Sequence, residues 1–277
     1  MGMRISTNLS AIQANRNLVF SQREIQKSSA QLASGSRITK SADDAAGLAI
    51  SENLKSQMRS YSQAGRNASD GVSMIQTAEG GLNEISNMVT RLRELGIQAS
   101  SDTVSDKERV MVDKEVQQLK AEIQRIAQTT SFGTTKLLDG TGDKFDFQIG
   151  IHNDDFTDRI SYAAGDTNAT ASSLNLDSLD YTSKQGAQEA LSNLDEAQST
   201  VNGFRANLGA LQNRLQSTMD NLAVMHENIS AANSRIRDTD IASASSDMTR
   251  NNILLQASTA ALAQANQTPQ LAMRLLG

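Results

Sequence analysis

Apolar residues recur at alternating steps of three and four over the longest patterned stretch of the chain. Ala187, Ala190, Leu194, Ala197, Val201, Phe204, Leu208, Leu211, Leu215, Leu222, Met225, Ile229, Ala232 and Ile236 share one row, whose only polar member is Thr218. Seven heptads in one register predict a long helix with a coiled-coil seam, about 75 Å long at 1.5 Å per residue. Val201, Phe204, Leu208, Leu211, Leu215 and Leu222 are the candidate core of that seam. A second row runs Leu54, Met58, Tyr61, Gly65, Ala68, Val72, Ile75 and resumes as Ala78, Leu82, Ile85, Val89, Leu92, Gly96, Ala99. Its consecutive steps of three at Ile75 are a stammer, which overwinds a coil locally. Gly80-Gly81 beside it is a place for the helix to relieve that strain or bend.

Between the rows the pattern changes. Ser41 with Asp44, and Ser105 with Glu108, read as capping boxes that open helices. Val112, Val116, Leu119, Ile123 and Ile126 then mark a helix of about 25 residues, folded back antiparallel after a short break at about 100–104. Phe145, Phe147, Ile149 and Ile151 alternate with polar residues, as do Ile160 and Tyr162, on either side of Asn153-Asp154-Asp155. That is the pattern of a β-hairpin, within a region of about 129–182. Residues 164–182, rich in Ser, Thr, Asn, Asp and Ala, read as an irregular return.

The ends are helical in period but thinly apolar. Ile5, Leu9, Ile12, Leu18, Val19, Ile25 and Leu32 mark the first segment, and Ile241, Met248, Leu255, Leu262 and Leu276 the last. The intervening Ser, Asn, Gln and Ala leave too little apolar surface for either helix to stand alone in water. The ends therefore need each other or other subunits, and Ile5, Leu9, Ile12, Leu18, Ile25, Leu32, Ile241, Met248, Leu255 and Leu262 are the candidate self-assembly residues. The expected architecture is mainly α, an elongated rod of long antiparallel coiled-coil helices with one small β-hairpin region. Both termini are helical, residues 1–42 and 240–277 are the terminal segments, and 43–239 form the core rod.

Composition removes most chemistry. Cys is absent and only two His occur among 277 residues, so no thiolate nucleophile or zinc-thiolate site is available. Aromatics are 3% with no Trp, which excludes a large aromatic core. A net charge of −5 argues against a nucleic-acid-binding surface. No apolar run approaches the ~18 residues of a membrane span, and no charged-then-apolar leader opens the sequence. If the protein leaves the cell, it does so by a route that needs no cleaved signal. Asp238-Thr239-Asp240 begins like a calcium loop but has Ser243 where the loop needs Gly and Thr249 where it needs Glu. Asp43-Asp44 and Asp154-Asp155 read as a helix start and a turn rather than paired catalytic carboxylates. No catalytic, cofactor or metal residues are expected.

Gln31-Leu32-Ala33-Ser34-Gly35-Ser36-Arg37-Ile38 and Ser41-Ala42-Asp43-Asp44-Ala45-Ala46-Gly47-Leu48-Ala49-Ile50-Ser51 are similar to the most recognisable stretch of the bacterial flagellins, a family the sequence resembles in several blocks. Arg91-Leu92-Arg93-Glu94-Leu95, Phe132-Gly133-Thr134-Thr135-Lys136-Leu137-Leu138-Asp139-Gly140 and Glu227-Asn228-Ile229-Ser230-Ala231-Ala232-Asn233-Ser234-Arg235-Ile236-Arg237-Asp238-Thr239-Asp240 follow in the family's order. The resemblance covers roughly 3–150 and 185–277, with the large outer domains of many flagellins absent from the middle.

The resemblance implies a filament subunit that polymerises with itself, with paired terminal helices lining a tube. It further implies secretion through the type III flagellar export apparatus to an extracellular filament. A cytosolic chaperone on the C-terminal segment, a cap and hook-junction proteins are the other implied partners, together with an animal flagellin receptor reading an exposed patch at Arg91, Leu95 and Glu115. The plainer reading of that patch is a set of solvated and flanking residues packing on the next subunit. A hook–filament junction protein is the alternative function. A soluble signalling coiled coil is a third, which would need matched heptads around a hairpin tip and a membrane anchor.

Overall fold

The computed structural model describes the backbone of residues 7–276 and the side chains of residues 7–267; Ile5 and the side chain of Leu276 lie outside them. The elements in chain order are helices α1 (Leu9–Ser34), α2 (Ala45–Ser100) and α3 (Asp106–Thr129), then strands β1 (Ser131–Phe132), β2 (Thr135–Lys136), β3 (Lys144–Gln148) and β4 (Arg159–Ala163). A 3-10 turn at Ala164–Asp166, α4 (Lys184–Arg237) and α5 (Ile241–Leu276) complete them. The fold is thus mainly α with small antiparallel β pairs. It divides into two compact units: one from Arg59 to Glu227, the other from the residues up to Met58 and those from Asn228 onward.

The Arg59–Glu227 unit holds a continuous hydrophobic core. On α2 the seam residues Ala68, Ile75, Ala78, Leu82, Ile85, Val89, Leu92 and Ala99 are all buried, and on α4 Val201, Leu208, Leu211, Leu215 and Leu222 are buried with Phe204 half-buried against the core. The helices run antiparallel, since Ser86 meets Gln198 (2.8 Å) while Arg93 meets Asp195 (2.7 Å) and Lys184 meets Asp102 (2.7 Å). The stammer does not interrupt α2, which is one helix of 56 residues. Gly80 faces open space, but a Cβ on Gly81 would stand 2.7 Å from both Leu138 Cδ1 and Thr130 Oγ1. The glycine pair expected to bend the helix instead lets the chain after α3 pack against it.

α3 folds back on α2 as expected. Glu108 accepts from the Ser105 N–H at 2.8 Å, the returning half of the capping box, and this amide holds its carboxyl below the ordinary value. Arg109, 6% exposed, staples the turn by donating to the Ala99 and Ser101 carbonyls at 2.8 and 2.9 Å and pairing with Asp106. β3 and β4 form the expected hairpin, with Phe145 opposite Tyr162 and Phe147 opposite Ile160. The 164–182 stretch is irregular, yet it carries core residues that its composition hides: Leu174, Leu176, Leu179 and Tyr181 are buried. The Tyr181 hydroxyl donates to the Leu92 carbonyl at 2.9 Å, and burial, aided by Asp113, raises its pKa well above the ordinary tyrosine value.

Candidate assembly surface

The second unit is organised around the meeting of α1 with α5. The two helices are antiparallel: Asn8 Nδ2 donates to the Ala265 carbonyl at 2.8 Å at one end, and Thr239 N–H donates to the Gly35 carbonyl at 3.0 Å at the other. Their Cα atoms approach within 8 Å along the pair. Small residues permit this closeness. On α1 the shared face carries Ala11, Ala14, Leu18, Ser21, Ile25, Ser28 and Leu32, of which Ser21 and Ser28 are the buried members at 3% and 6% exposure. On α5 it carries Ala244, Met248, Asn251, Leu255, Ser258, Leu262 and Ala265, half-buried except for buried Ala244.

The expected assembly residues split into two groups. Leu18, Ile25, Leu32, Met248, Leu255 and Leu262 lie half-buried in the intrachain seam. Leu9, Ile12 and Ile241 are 60%, 56% and 65% exposed. At about 100° per residue, Leu9 and Ile12 stand opposite the α1 seam, alongside Val19 and Phe20. Those last two, with Ile253 and Leu254 on α5, are also exposed. Ile12 to Leu18 is a step of six, which no single helical face accommodates. That step was the sequence signal that one list joined two stripes.

The most recognisable family block makes the connection from α1 to α2. Gly35 ends α1 with a left-handed φ of 68°, which glycine adopts without strain. Arg37 N–H and Nη2 donate to the Arg237 and Ile236 carbonyls at 2.7 and 2.6 Å, and Ile38 is 2% exposed. Asp43 accepts from the Thr39 and Lys40 amides at 3.1 and 2.9 Å, which lowers its pKa, the Lys40 amide most. The capping box expected of Ser41 with Asp44 is replaced by a simpler arrangement. α2 begins one residue after Asp44, whose Oδ1 accepts the Gly47 N–H at 2.8 Å. A Cβ on Gly47 would meet Asp44 Oδ2 at 2.4 Å and Ile38 Cδ1 at 2.9 Å, so this turn has room for glycine only. Arg237 pairs with Glu52 in the same unit.

Of the three receptor-patch positions, two are at the surface. The Arg91 guanidinium pairs with Glu94 and Glu115, each at 3.0 Å, with half-exposed side chains. Leu95, expected on the exposed patch, is 2% exposed and part of the core. It lies three residues past buried Leu92 and so turns to the same face of α2.

No helix among the described residues is long and apolar enough to cross a membrane. Two family models match the chain: the bacterial flagellin N-terminal helical region over residues 5–143 and the bacterial flagellin C-terminal helical region over residues 191–276. A flagellin of Halalkalibacterium halodurans is 44% identical over 274 residues, covering 99% of this chain and 100% of its own. A flagellin of Bacillus subtilis is 40% identical, again over 99% of this chain and 100% of its own. Among solved structures, Bacillus cereus flagellin superposes with a TM-score of 0.51 at 31% identity, over 57% of this chain and 88% of that one. The chain therefore belongs to the flagellins, structural proteins whose copies polymerise into the filament of the bacterial flagellum that drives swimming.

Proposed function

We propose that the exposed stripe of the α1–α5 pair is the surface through which copies of this flagellin assemble. The observation that carries the reading is an inversion of burial. The fully buried seam positions are Ser21, Ser28 and Ala244, with Leu18, Ile25, Leu32, Met248, Leu255 and Leu262 only half-buried beside them, while Leu9, Ile12, Phe20, Ile241 and Ile253 face outward at 56–65% exposure. A helix pair that leaves a second stripe of large apolar residues outside its seam gains from neighbours that cover them. The ordering cost of about 1–2 kcal/mol per residue is met only on assembly. In the monomer the segments flanking a core of about 43–239 are largely unfolded and open to proteases. Neighbouring subunits fold them into the tube wall.

The remaining roles follow from that state. A Cys-free chain with one Pro and unfolded ends threads a narrow type III export channel, and the protein works outside the cell with no catalytic activity. A cytosolic chaperone masks the α5 stripe before export, the filament cap folds the ends at the growing tip, and hook-junction proteins meet the same surface at the base. Arg91 and Glu115 form the part of the receptor patch that an animal flagellin receptor would reach in the monomer.

Ile253→Asp tests the assembly surface. The monomer keeps its circular dichroism spectrum, because the site is exposed. Salt-induced filaments disappear from the pellet, because each subunit would bury an unpaired carboxylate. Gln118→Asp, at an exposed site on α3 in the other unit, is the control and pellets normally. Wild-type pelleting by Ile253→Asp sinks this surface.

A further inference from the structure

The stammer in α2 displaces one row of its seam. Before it, Gly65 and Val72 lie on the apolar row; after it the row moves to Ala78, Ile85 and Leu92. The vacated positions continue at steps of seven as Glu79, Ser86 and Arg93, all polar. Each meets a polar residue of α4. Arg205 Nη2 stands 4.0 Å from Glu79 Oε1, Gln198 Nε2 donates to Ser86 Oγ at 2.8 Å, and Arg93 Nε donates to Asp195 Oδ1 at 2.7 Å. A ladder of three rungs thus flanks the aliphatic core, and its middle rung joins residues 112 apart in the chain.

The rungs are poorly suited to add stability. Ser86 is 7% exposed, and Gln198 Oε1 and Arg205 Nε are buried without a hydrogen-bond partner. An apolar layer would carry no such cost. The Arg93 rung is half-exposed, so water screens it. What the rungs distinguish is position. The α4 row Leu194, Val201, Leu208 and Leu215 repeats every seven residues, so it still meets aliphatic positions of α2 after a slip of one heptad. The ladder does not survive that slip. One heptad either side of Arg205 stand Gln198 and Gln212, and either side of Asp195 stand Gln188 and Asn202. A slip in either direction therefore takes Glu79 and Arg93 away from opposite charge and sets an uncharged amide before each.

We infer that the Glu79, Ser86 and Arg93 ladder sets the register of α4 on α2. It selects one of several heptad-spaced alignments that the aliphatic row tolerates, at some loss of stability, as a lone polar position does in a coiled-coil core. The device acts within one chain and does not depend on how copies assemble.

The absence of Cys allows the register to be read directly. Spin labels go on Ser69→Cys and Ser192→Cys, at exposed sites of α2 and α4. Since 198 meets 86 and the helices are antiparallel, position 192 lies near the level of 92. That is about 35 Å along α2 from position 69, and one heptad is about 10 Å. The labelled chain with its ladder intact should give one distance. With the ladder made apolar by Glu79→Leu, Ser86→Ala, Gln198→Leu and Arg205→Leu, the labelled monomer should keep its helical circular dichroism and melt no lower. It should nonetheless give a second distance, shifted by about 10 Å. Glu79→Arg with Arg205→Glu reverses one rung with its charges still matched and should restore the single wild-type distance. One distance in the apolar variant overturns the inference, because aliphatic packing then suffices. Two distances in the intact or reversed ladder also overturn it. So does lost helicity or lower melting in the apolar variant, because the rungs would then serve stability.

Discussion

The two units fill their helix–helix seams to different depths. Between α2 and α4 the seam is aliphatic, with Leu82, Ile85, Val89, Leu92, Leu194, Val201 and Leu208 at or below 1% exposure. Between α1 and α5 the most buried α1 positions are serines, and Leu9, Ile12, Phe20 and Ile253 lie outside. The first seam is a core that a single chain completes. The second is a close-packed pair whose seam aliphatics are only half-buried and whose outer apolar stripe remains to be covered. Stability that a chain can supply alone and stability that it must share are thus written into different residue types at the same helical spacing.

Truncating a large residue on each side should separate the two most strongly. Leu92→Ala leaves a cavity in the middle of the aliphatic seam and should cost the monomer about 2–5 kcal/mol, seen as a large fall in its denaturant midpoint. Ile25→Ala, half-buried on α1, should move the monomer midpoint by no more than about 0.5 kcal/mol while raising the critical concentration for filaments. Equal losses of monomer stability would erase the distinction.

The serines sharpen it next. Ser21→Ala with Ser28→Ala removes two buried hydroxyls and adds helix propensity, so the α1–α5 pair should gain about 1 kcal/mol. Hydrogen exchange of α1 amides, read in filaments where the pair is folded, should slow in the double variant and stay unchanged in α3. Faster exchange in α1 would mean that the hydroxyls hold the pair together.

Much of this was legible because it depends on period alone. The long seam of α4, the α2–α3 turn with Glu108, and the pairing of Phe145 and Phe147 with Tyr162 and Ile160 all follow from spacing. The misses came from residues whose role depends on what approaches them. Ser21 and Ser28 look like surface positions, and only the closeness of α5 buries them. Leu174, Leu176, Leu179 and Tyr181 lack any period, because an irregular chain buries side chains one at a time. Leu95 was placed on an exposed patch by resemblance, although its spacing from Leu92 already pointed inward. The family block from Gly35 to Gly47 was recognisable as letters, while its reasons, a left-handed stop at Gly35 and a turn too tight for a Cβ at Gly47, needed neighbours.

Gly80 and Gly81 test the aliphatic side at finer scale. Gly80 faces open space, so Gly80→Ala should stabilise the Arg59–Glu227 unit by about 0.5–1 kcal/mol through helix propensity. At Gly81 the same methyl meets Leu138 and Thr130 at 2.7 Å, and overpacking of about 1–3 kcal/mol should outweigh the gain. Thermal melts of the two variants should shift in opposite directions. A rise for Gly81→Ala would mean that Leu138 and Thr130 give way freely.

The smallest expected effect is acid sensitivity, and it should fall mostly on one unit, with Asp43 as the lowered carboxyl of the other. Asp102, Glu108, Asp146, Asp154 and Asp180, all in the Arg59–Glu227 unit, have lowered pKa values. Their leading causes are the Lys184 ammonium for Asp102, the Ser105 amide for Glu108, the Ser161 hydroxyl for Asp146, the Thr157 amide for Asp154 and the Thr182 hydroxyl for Asp180. A carboxyl lowered on folding contributes stability above its unfolded value, near 3.8 for Asp and 4.5 for Glu. That contribution is lost as pH falls through the folded value. Monomer melting should therefore hold level near neutrality and decline below about pH 4.5, modestly because these groups lie in water, which screens them. High salt should weaken the Asp102 share, an ion pair, more than the Asp154 share, which rests on backbone amides of the β3–β4 loop. Asp154→Asn should consequently flatten the acid decline even in high salt, and Asp102→Asn should flatten it only at low salt. If the two variants respond to salt alike, the loop carboxylate is held by long-range charge rather than by its own turn.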